Sequence, residues 1–121
     1  MIAAIRVLIV DDTPEVLKDL RTLLTLAGDF QIIGEAADGL EAIRQVLTLK
    51  PDVVVMDLEM PILDGYEAAR QIKSCHPACR VIALTVHDYQ AAREKAFQAG
   101  IDGFIVKGAP VETLVQAISE R

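Results

Sequence analysis

The chain has 121 residues, of which 52% are hydrophobic and only 4% aromatic, so we expect one domain with an aliphatic core. Its formal charge of −6 gives an acidic surface that repels phosphate backbones, which disfavours direct binding of nucleic acid. No apolar stretch reaches the ~20 residues of a membrane helix, and Arg6 interrupts the N-terminal apolar run too early for a secretory signal. Cys75 and Cys79, with one histidine between them, offer too few ligands for structural zinc, so both thiols should be free. We therefore predict a soluble cytoplasmic protein.

The first strand–helix unit opens with an apolar run over residues 5–10. Two carboxylates, Asp11 and Asp12, follow the last residue of this run directly. Thr13 and Pro14 then favour the start of a helix, because threonine is a good N-cap and proline suits the first helical position.

The second unit pairs a strand over residues 30–35 with another amphipathic helix. Asp38 followed by Glu41 resembles a capping box, which predicts where this helix begins. We expect the helix to bury its leucine and isoleucine stripe against the sheet: Leu40, Ile43 and Leu47.

Three further apolar runs end at polar residues of different chemistry, namely Asp57, Thr85 and Lys107. A helix should follow each run, with Asp64 capping the third helix and Asp88 the fourth. Proline starts the fifth helix. The runs themselves cover residues 51–56, 81–84 and 103–106.

Five alternating strands and helices predict an α/β domain: a doubly wound, flavodoxin-like (βα)5 fold with a five-stranded parallel sheet. Every strand but the second is nearly continuously apolar, which indicates burial on both faces. We predict the strand order 2-1-3-4-5, in which the first, third, fourth and fifth strands are successive neighbours. Their carboxyl ends then share the edge where such folds bind ligands. The residues brought together there are Asp11, Asp12, Asp57, Thr85 and Lys107.

This set of side chains predicts phosphoryl chemistry. Two carboxylates ~4 Å apart repel by roughly 4 kcal/mol at an effective dielectric of 20, so three must bind a cation or hold a proton. Carboxylate oxygens favour Mg²⁺. Lys107 and Thr85 suit phosphoryl oxygens, and Asp57 can act as a nucleophile that forms an aspartyl phosphate. Each residue alone is ordinary at a strand end, and only their joint placement favours this function.

Four motifs then point to one family: Val10-Asp11-Asp12, Met56-Asp57-Leu58-Glu59-Met60-Pro61 with Asp64-Gly65, Leu84-Thr85, and Gly103-Phe104-Ile105-Val106-Lys107. Together they resemble the receiver domain of bacterial two-component response regulators over essentially the whole chain. Residues 34–39 and the ending Lys107-Gly108 look most like the NarL/FixJ-type branch.

The resemblance implies a role for each residue of the acidic cluster. Asp57 would accept a phosphoryl group from a sensor histidine kinase. Asp12 and Asp57 would bind Mg²⁺ directly, together with the backbone carbonyl of Glu59, whereas Asp11 would act through water. Lys107 would pair with the phosphoryl oxygens.

The resemblance also implies a switch and an output. Thr85 would move to hydrogen-bond the phosphoryl group, and Phe104 would swing inward behind it. The domain would be a signalling switch, not an enzyme beyond its own phosphorylation and dephosphorylation, and it would form a homodimer when phosphorylated. We expect residues 1–121 to be the receiver alone, without an output domain in this chain. The domain is either a standalone receiver or part of a longer protein, and the NarL/FixJ-type likeness favours the second, with a helix-turn-helix output domain for transcription regulation. Its output face would be formed by the fourth and fifth helices with the fifth strand, or by the first and fifth helices, with Tyr89 and Arg93 as candidate contact residues.

Several positions near the site depart from the commonest family pattern. Glu59 adds an acid at the mouth of the site, Val86 is bulkier than the small residue often found after the threonine, and His87 follows it. We hypothesise that these residues set the lifetime of the phosphoryl group by crowding or positioning the attacking water. Gly108 replaces the proline that often follows the lysine, so no cis peptide bond is assumed there.

Other functions use similar residues. A haloacid-dehalogenase-like phosphatase also has an aspartate nucleophile at a strand end with Mg²⁺, but on the first strand of a larger domain, whereas Asp57 lies mid-chain. A degenerate receiver that only binds proteins would have lost acids, threonine or lysine, and none is missing. A flavin-binding role is weaker, because no phosphate loop rich in Ser, Thr and Gly follows the first strand.

Overall fold

The computed structural model describes residues 4–120, so the outermost ends of the predicted domain, residues 1–3 and 121, lie outside the described part. Strands and helices alternate in the predicted way: β1 (Ile5–Val10), α1 (Pro14–Ala27), β2 (Phe30–Ala36), α2 (Gly39–Leu49), β3 (Val53–Met56), α3 (Gly65–Cys75), β4 (Arg80–Thr85), α4 (Gln90–Gln98), β5 (Gly103–Val106) and α5 (Val111–Ser119). Among residues 4–120, no helix has both the length and the apolar character needed to cross a membrane.

The sheet is fully parallel with the order β2-β1-β3-β4-β5, which confirms the predicted flavodoxin-like topology. Alternate strand residues face two separate cores. Leu8 and Val10 pack in the core covered by α2, α3 and α4, whereas Val7 and Ile9 pack in the core covered by α1 and α5. Because both faces are covered, strands β1, β3 and β4 are almost wholly buried.

Thr13, Asp38 and Asp64 are N-cap residues as predicted, although Thr13 makes no side-chain cap bond, and the prediction for Asp88 is wrong. Asp38 and Asp64 each accept a backbone N–H three residues further on, at 2.8 and 2.9 Å, and so begin α2 and α3. Tyr89, not Asp88, is the N-cap residue of α4. The carboxylate of Asp88 instead forms an ion pair with Arg93 at 2.7 Å.

The predicted apolar stripe of α2 is wrong by about one residue. Leu40 and Leu47 are 40% and 55% exposed, although the isoleucine between them is buried. The helix begins so close to the loop after β3 that a Cβ on Gly39 would overlap the carbonyl oxygen of Leu63. At this short distance only the face of α2 with the smaller side chains fits against the core. The buried side chains are those of Ala42, Ile43 and Val46.

The burial of β5 also differs from the prediction. All four residues of β5 are only partly buried, although its apolar sequence indicated burial on both faces. The strand lies at the edge of the sheet, beside β4 alone, so fewer side chains cover it. This edge position matters for the site, because Phe104 belongs to β5.

Candidate functional site

The carboxylates predicted to meet at the edge of the sheet do so. Asp11, Asp12 and Asp57 each offer an oxygen atom, and these oxygens all lie within 4.8 Å of one another. The parallel pairing of β1 with β3 brings them together, because the last residues of the two strands are aligned. Asp11 and Asp57 are 1% and 9% exposed, whereas Asp12 is exposed. The cluster therefore has a buried floor and an open side.

Lys107 lies against the same cluster. Its Nζ atom is 2.9 Å from Oδ2 of Asp11 and 3.3 Å from Oδ2 of Asp57. The backbone N–H of Lys107 donates to the carbonyl of Thr85 at 2.7 Å, which continues the β4–β5 pairing and fixes where the lysine leaves the sheet. One ammonium thus faces the carboxylate oxygens of two acids, and a third acid stands beside them.

Burial and charge raise the pKa of two groups in the site, Asp57 and Lys107, for different reasons. Burial is the main reason why the pKa of the Asp57 carboxyl is raised above its ordinary value, and Asp11 adds to the effect. A hydrogen bond from the Glu59 backbone and the charge of Lys107 oppose the rise without cancelling it. Burial lowers the pKa of Lys107, but its contacts with Asp11 and Asp57 outweigh burial and raise it. The site keeps its lysine charged and penalises the ionised Asp57.

The cluster has the chemistry of a site for a hard divalent cation. Its donors are carboxylate oxygens only, and the acids outnumber the neighbouring lysine. Gly65 at the start of α3 allows this helix to approach the Asp57 backbone closely, because a Cβ there would overlap the backbone carbonyl of Asp57. A cation bound by these oxygens would offset their mutual repulsion. The residues present therefore fit a bound Mg²⁺.

Thr85 stands at the end of β4 but is bonded within its own loop. Its side chain is buried, and Oγ1 accepts a hydrogen bond from the backbone N–H of His87 at 3.2 Å. Oγ1 is the acceptor in this bond, which does not use the donor O–H of the threonine. Contact with a phosphoryl group would require it to rearrange.

Glu59 and His87 form a contact that the sequence did not reveal. Oε2 of Glu59 lies 2.9 Å from Nε2 of His87, and the two residues belong to the loops after β3 and β4. The backbone N–H of Glu59 also donates to Oδ1 of Asp57 at 3.2 Å. Both residues had been singled out at the mouth of the site, but nothing in their spacing indicated that they touch.

Phe104 is partly buried and lies apart from the carboxylates, against α4. The guanidinium carbon of Arg93 sits 4.7 Å from the centre of the Phe104 ring. Nε of Arg93 donates to Oδ1 of Asp88 at 2.7 Å. Neither contact of Arg93 is predictable from the sequence, because the interval of five residues to Asp88 is not a usual spacing for a helix pair.

Comparison with known proteins agrees with this geometry. The family model for the response regulator receiver domain matches residues 7–119. The response regulator GacA of Pseudomonas viridiflava is 40% identical over 114 residues, which is 94% of this chain and 53% of that protein. The chemotaxis protein CheY of Thermotoga maritima is 36% identical over 115 residues, covering 95% of each. The chain spans about half the length of the GacA and VraR relatives it matches.

Solved structures give the same result. A two-component response regulator of the LuxR family from Aurantimonas sp. SI85-9A1 superposes with a TM-score of 0.91 at 39% identity, covering 96% of this chain and 83% of that one. The signal receiver domain of a putative response regulator NarL from Mycobacterium tuberculosis also gives a TM-score of 0.91, at 30% identity, covering 99% and 100%. These relatives confirm the predicted likeness to the NarL/FixJ-type branch. The chain belongs to the receiver domain family of two-component response regulators.

Proposed function

We propose that this domain acts in the cytoplasm as a phosphorelay receiver, in which Asp57 takes a phosphoryl group from a sensor histidine kinase. One observation carries the proposal. The Asp57 carboxylate is nearly buried, and it stands between two other acids and the ammonium group of Lys107. A carboxylate held in this way is poorly placed for a purely structural role, because ionised Asp57 is disfavoured by burial and by Asp11.

The proposed reaction is a displacement at phosphorus. An oxygen of Asp57 attacks the phosphoryl group, a new O–P bond forms, and the N–P bond of the phosphohistidine breaks as the imidazole leaves with the bonding pair. The Glu59 N–H bonds one oxygen of Asp57 at 3.2 Å and Lys107 approaches the other at 3.3 Å, which orients the carboxylate. Lys107 then pairs with the phosphoryl oxygens as charge develops on them.

Mg²⁺ is the proposed cofactor. Asp12 and Asp57 would hold it with the backbone carbonyl of Glu59, and Asp11 would act through water. When bound, the cation would neutralise negative charge on the transferred group. A CheY from Borrelia burgdorferi in complex with CheX, BeF3 and Mg²⁺ supports this assignment, since it superposes with a TM-score of 0.89 at 30% identity.

Phosphorylation would then change the loop after β4. A phosphoryl group adds about −1.5 to −2 charge and three strong acceptors. Thr85 would give up its present hydrogen bond with His87 and donate to the phosphoryl group, and Phe104 would turn inward into the space behind it. The isolated receiver of RcsB from Salmonella enterica serovar Typhimurium was solved with phosphomimetic BeF3⁻, and it is 28% identical with a TM-score of 0.87. This relative supports a phosphorylation-driven switch.

Transcriptional output is the second part of the proposal. Structural relatives include a DNA-binding response regulator of the LuxR family from Staphylococcus aureus, with a TM-score of 0.89 at 30% identity. By analogy, this receiver would control a helix-turn-helix domain in a longer protein, with a homodimer forming on phosphorylation through the α4-β5-α5 face or the α1-α5 face.

The proposal is tested with a small phosphodonor. The purified chain is incubated with acetyl phosphate and Mg²⁺, and its intact mass is measured over time. We expect one retained phosphoryl group on the unmodified sequence and on Asp29→Asn, an exposed acid removed at the opposite edge of the sheet, and none on Asp57→Asn. Many turnovers of donor without a retained adduct would instead indicate a phosphatase. No modification and no turnover would indicate a protein-binding module.

A further inference from the structure

One side chain, Arg93, connects the loop after β4 with the aromatic residue of β5. Its Nε atom donates to Oδ1 of Asp88 at 2.7 Å, and its guanidinium carbon lies 4.7 Å from the centre of the Phe104 ring. Asp88 belongs to the loop that follows Thr85, and Arg93 lies in the first turn of α4. Arg93 therefore touches the two segments that the proposed switch requires to move.

The loop is tied to the site by separate contacts on its other side. His87 donates its backbone N–H to Oγ1 of Thr85 at 3.2 Å, and its ring meets Glu59 at 2.9 Å. Any rotation of Thr85 towards Asp57 breaks or strains the first of these bonds. The same rotation also shifts Asp88, which follows His87 and is the ion-pair partner of Arg93.

The Phe104 ring packs at the margin of the core covered by α2, α3 and α4, and the guanidinium of Arg93 lies over its face. Phe104 is only partly buried in the edge strand β5, and a small cavity of about 20 Å³ lies beside it. Phe97, which also lines this cavity, is 74% exposed and covers it poorly. A guanidinium over an aromatic face adds an attraction that depends on the ring staying where it is.

We propose that Arg93 is a positioning residue for the phosphoryl switch: by holding Asp88 and Phe104 in their present places, it opposes the arrangement that accepts the phosphoryl group. This inference rests on the proposed function and names the side chain that opposes the switch. Arg93 does not touch the carboxylates. It acts through the β4–α4 loop and through the position of the aromatic ring.

The first measurement is the rate of phosphorylation by acetyl phosphate. Arg93→Met keeps the length of the side chain and removes both the ion pair and the attraction to the ring. We expect the rate to rise about tenfold, equivalent to about 1.4 kcal/mol. Asp88→Asn, which removes only the ion pair, should give a smaller rise. Arg70→Met is the matched control, because Arg70 has a similar exposed ion pair at 2.6 Å on α3, away from the switch.

The second measurement reads the ring directly and needs no phosphoryl transfer. The chain has three phenylalanines, so labelling with 4-fluorophenylalanine should give three ¹⁹F resonances, and a Phe104→Leu variant identifies the relevant one. In Arg93→Met without ligand, we expect this resonance to move towards its position in the unmodified sequence bound to beryllium fluoride and Mg²⁺. Arg70→Met should leave it in place. Lys95→Met, which removes a comparable contact with Tyr66 at 4.3 Å, should also leave it in place.

The outcomes separate the two proposals. If the unmodified sequence takes up a phosphoryl group but Arg93→Met has an unchanged or slower rate, the positioning role is overturned and the receiver function stands. A Phe104 resonance that moves away from the beryllium fluoride position also overturns it. If the unmodified sequence takes up no phosphoryl group, the receiver function fails and the positioning role fails with it.

Discussion

Replacing Asp57 with asparagine should stabilise the fold when no divalent cation is present. The oxygens of Asp11, Asp12 and Asp57 lie within 4.8 Å of one another. Two charges ~4.8 Å apart repel by about 3.5 kcal/mol at an effective dielectric of 20. The substitution removes two such repulsions and also loses the ion pair with Lys107 at 3.3 Å, an attraction of about 5 kcal/mol on the same scale. The balance is a gain of about 2 kcal/mol, and relief of a buried charge favours the same direction.

The pH dependence of this gain follows from the direction of the Asp57 shift. Burial raises the pKa of Asp57 above its ordinary value of 3.8, so folding binds a proton that the unfolded chain releases at lower pH. The stability of the unmodified sequence therefore falls as pH rises from the ordinary carboxyl value through the raised one. The advantage of Asp57→Asn should be complete at neutral pH. It should vanish below pH 3.8, where the carboxyl is protonated in both states.

Urea unfolding measures the effect. The chain has no tryptophan, so circular dichroism is the suitable signal. In EDTA at neutral pH we expect Asp57→Asn to be more stable than the unmodified sequence, and Asp29→Asn, which removes the same charge at an exposed site, to differ little. Added Mg²⁺ should stabilise the unmodified sequence and Asp29→Asn but not Asp57→Asn. A destabilised Asp57→Asn in EDTA, or equal stabilisation of all three by Mg²⁺, would refute the electrostatic reasoning.

Three further predictions concern residues around the site and in the turns. Glu59→Ala and His87→Ala should each shorten the phosphoryl half-life to the same extent, because each breaks the same 2.9 Å contact at the mouth of the site, and unchanged lifetimes in both would contradict this. Ile62 is a β-branched residue at φ 71° with 78% of its surface exposed. Ile62→Asn should therefore raise the free energy of unfolding in urea by about 1 kcal/mol, and a lower free energy of unfolding would show that the Ile62 backbone is unstrained. Burial raises the pKa of the Cys79 thiol to about 11, so iodoacetamide at mild pH should label Cys75 alone in the folded chain and both in urea, as intact mass would show. Labelling of Cys79 in the folded chain would contradict its burial.

The strand-end residues were predictable because the order of the strands determines which residues meet at the carboxyl edge of the sheet. Parallel strands in the order 2-1-3-4-5 bring their carboxyl ends to one edge, and the residue after an apolar run is easy to identify. Asp11, Asp57 and Lys107 consequently lie within hydrogen-bonding reach, as their sequence positions indicated. No side-chain detail was needed for that part of the site.

The face of α2 could not be chosen from its apolar residues alone. Its sequence carries two overlapping stripes, one with Leu40 and Leu47 and one with Ala42 and Val46, and the isoleucine belongs to both. Hydrophobicity favours the leucines. The close approach of Gly39 to the loop after β3 instead buries the face with Ala42 and Val46, and that approach depends on the path of the loop. The packing distance between elements is a tertiary property that periodicity does not contain.

Contacts between loops were beyond sequence reasoning for a related reason. Glu59 and His87 are 28 residues apart, and Arg93 and Phe104 lie in different elements. Each pair depends on the path of a loop whose ends alone are fixed by the sheet. Asp88 illustrates the ambiguity, since an aspartate before a helix serves equally well as a cap or as an ion-pair partner, and here it is the partner of Arg93.

These loop contacts also give the approximate free-energy difference between the two arrangements of the switch. The bond between Thr85 and His87 is worth about 1 kcal/mol, the exposed pair of Asp88 with Arg93 about 0.5 kcal/mol, and the contact of Arg93 with Phe104 about 1 kcal/mol. Together they favour the present arrangement by about 2–3 kcal/mol, which leaves the alternative populated at the level of about one per cent. Inverting this ratio takes about 5.5 kcal/mol. Charge-assisted hydrogen bonds to a phosphoryl group are worth about 1.5–3 kcal/mol each, so two bonds at the upper end of that range supply it. Because the opposing terms are small and come from partly exposed side chains, single surface substitutions should tune the unsignalled state without any change to the carboxylate site.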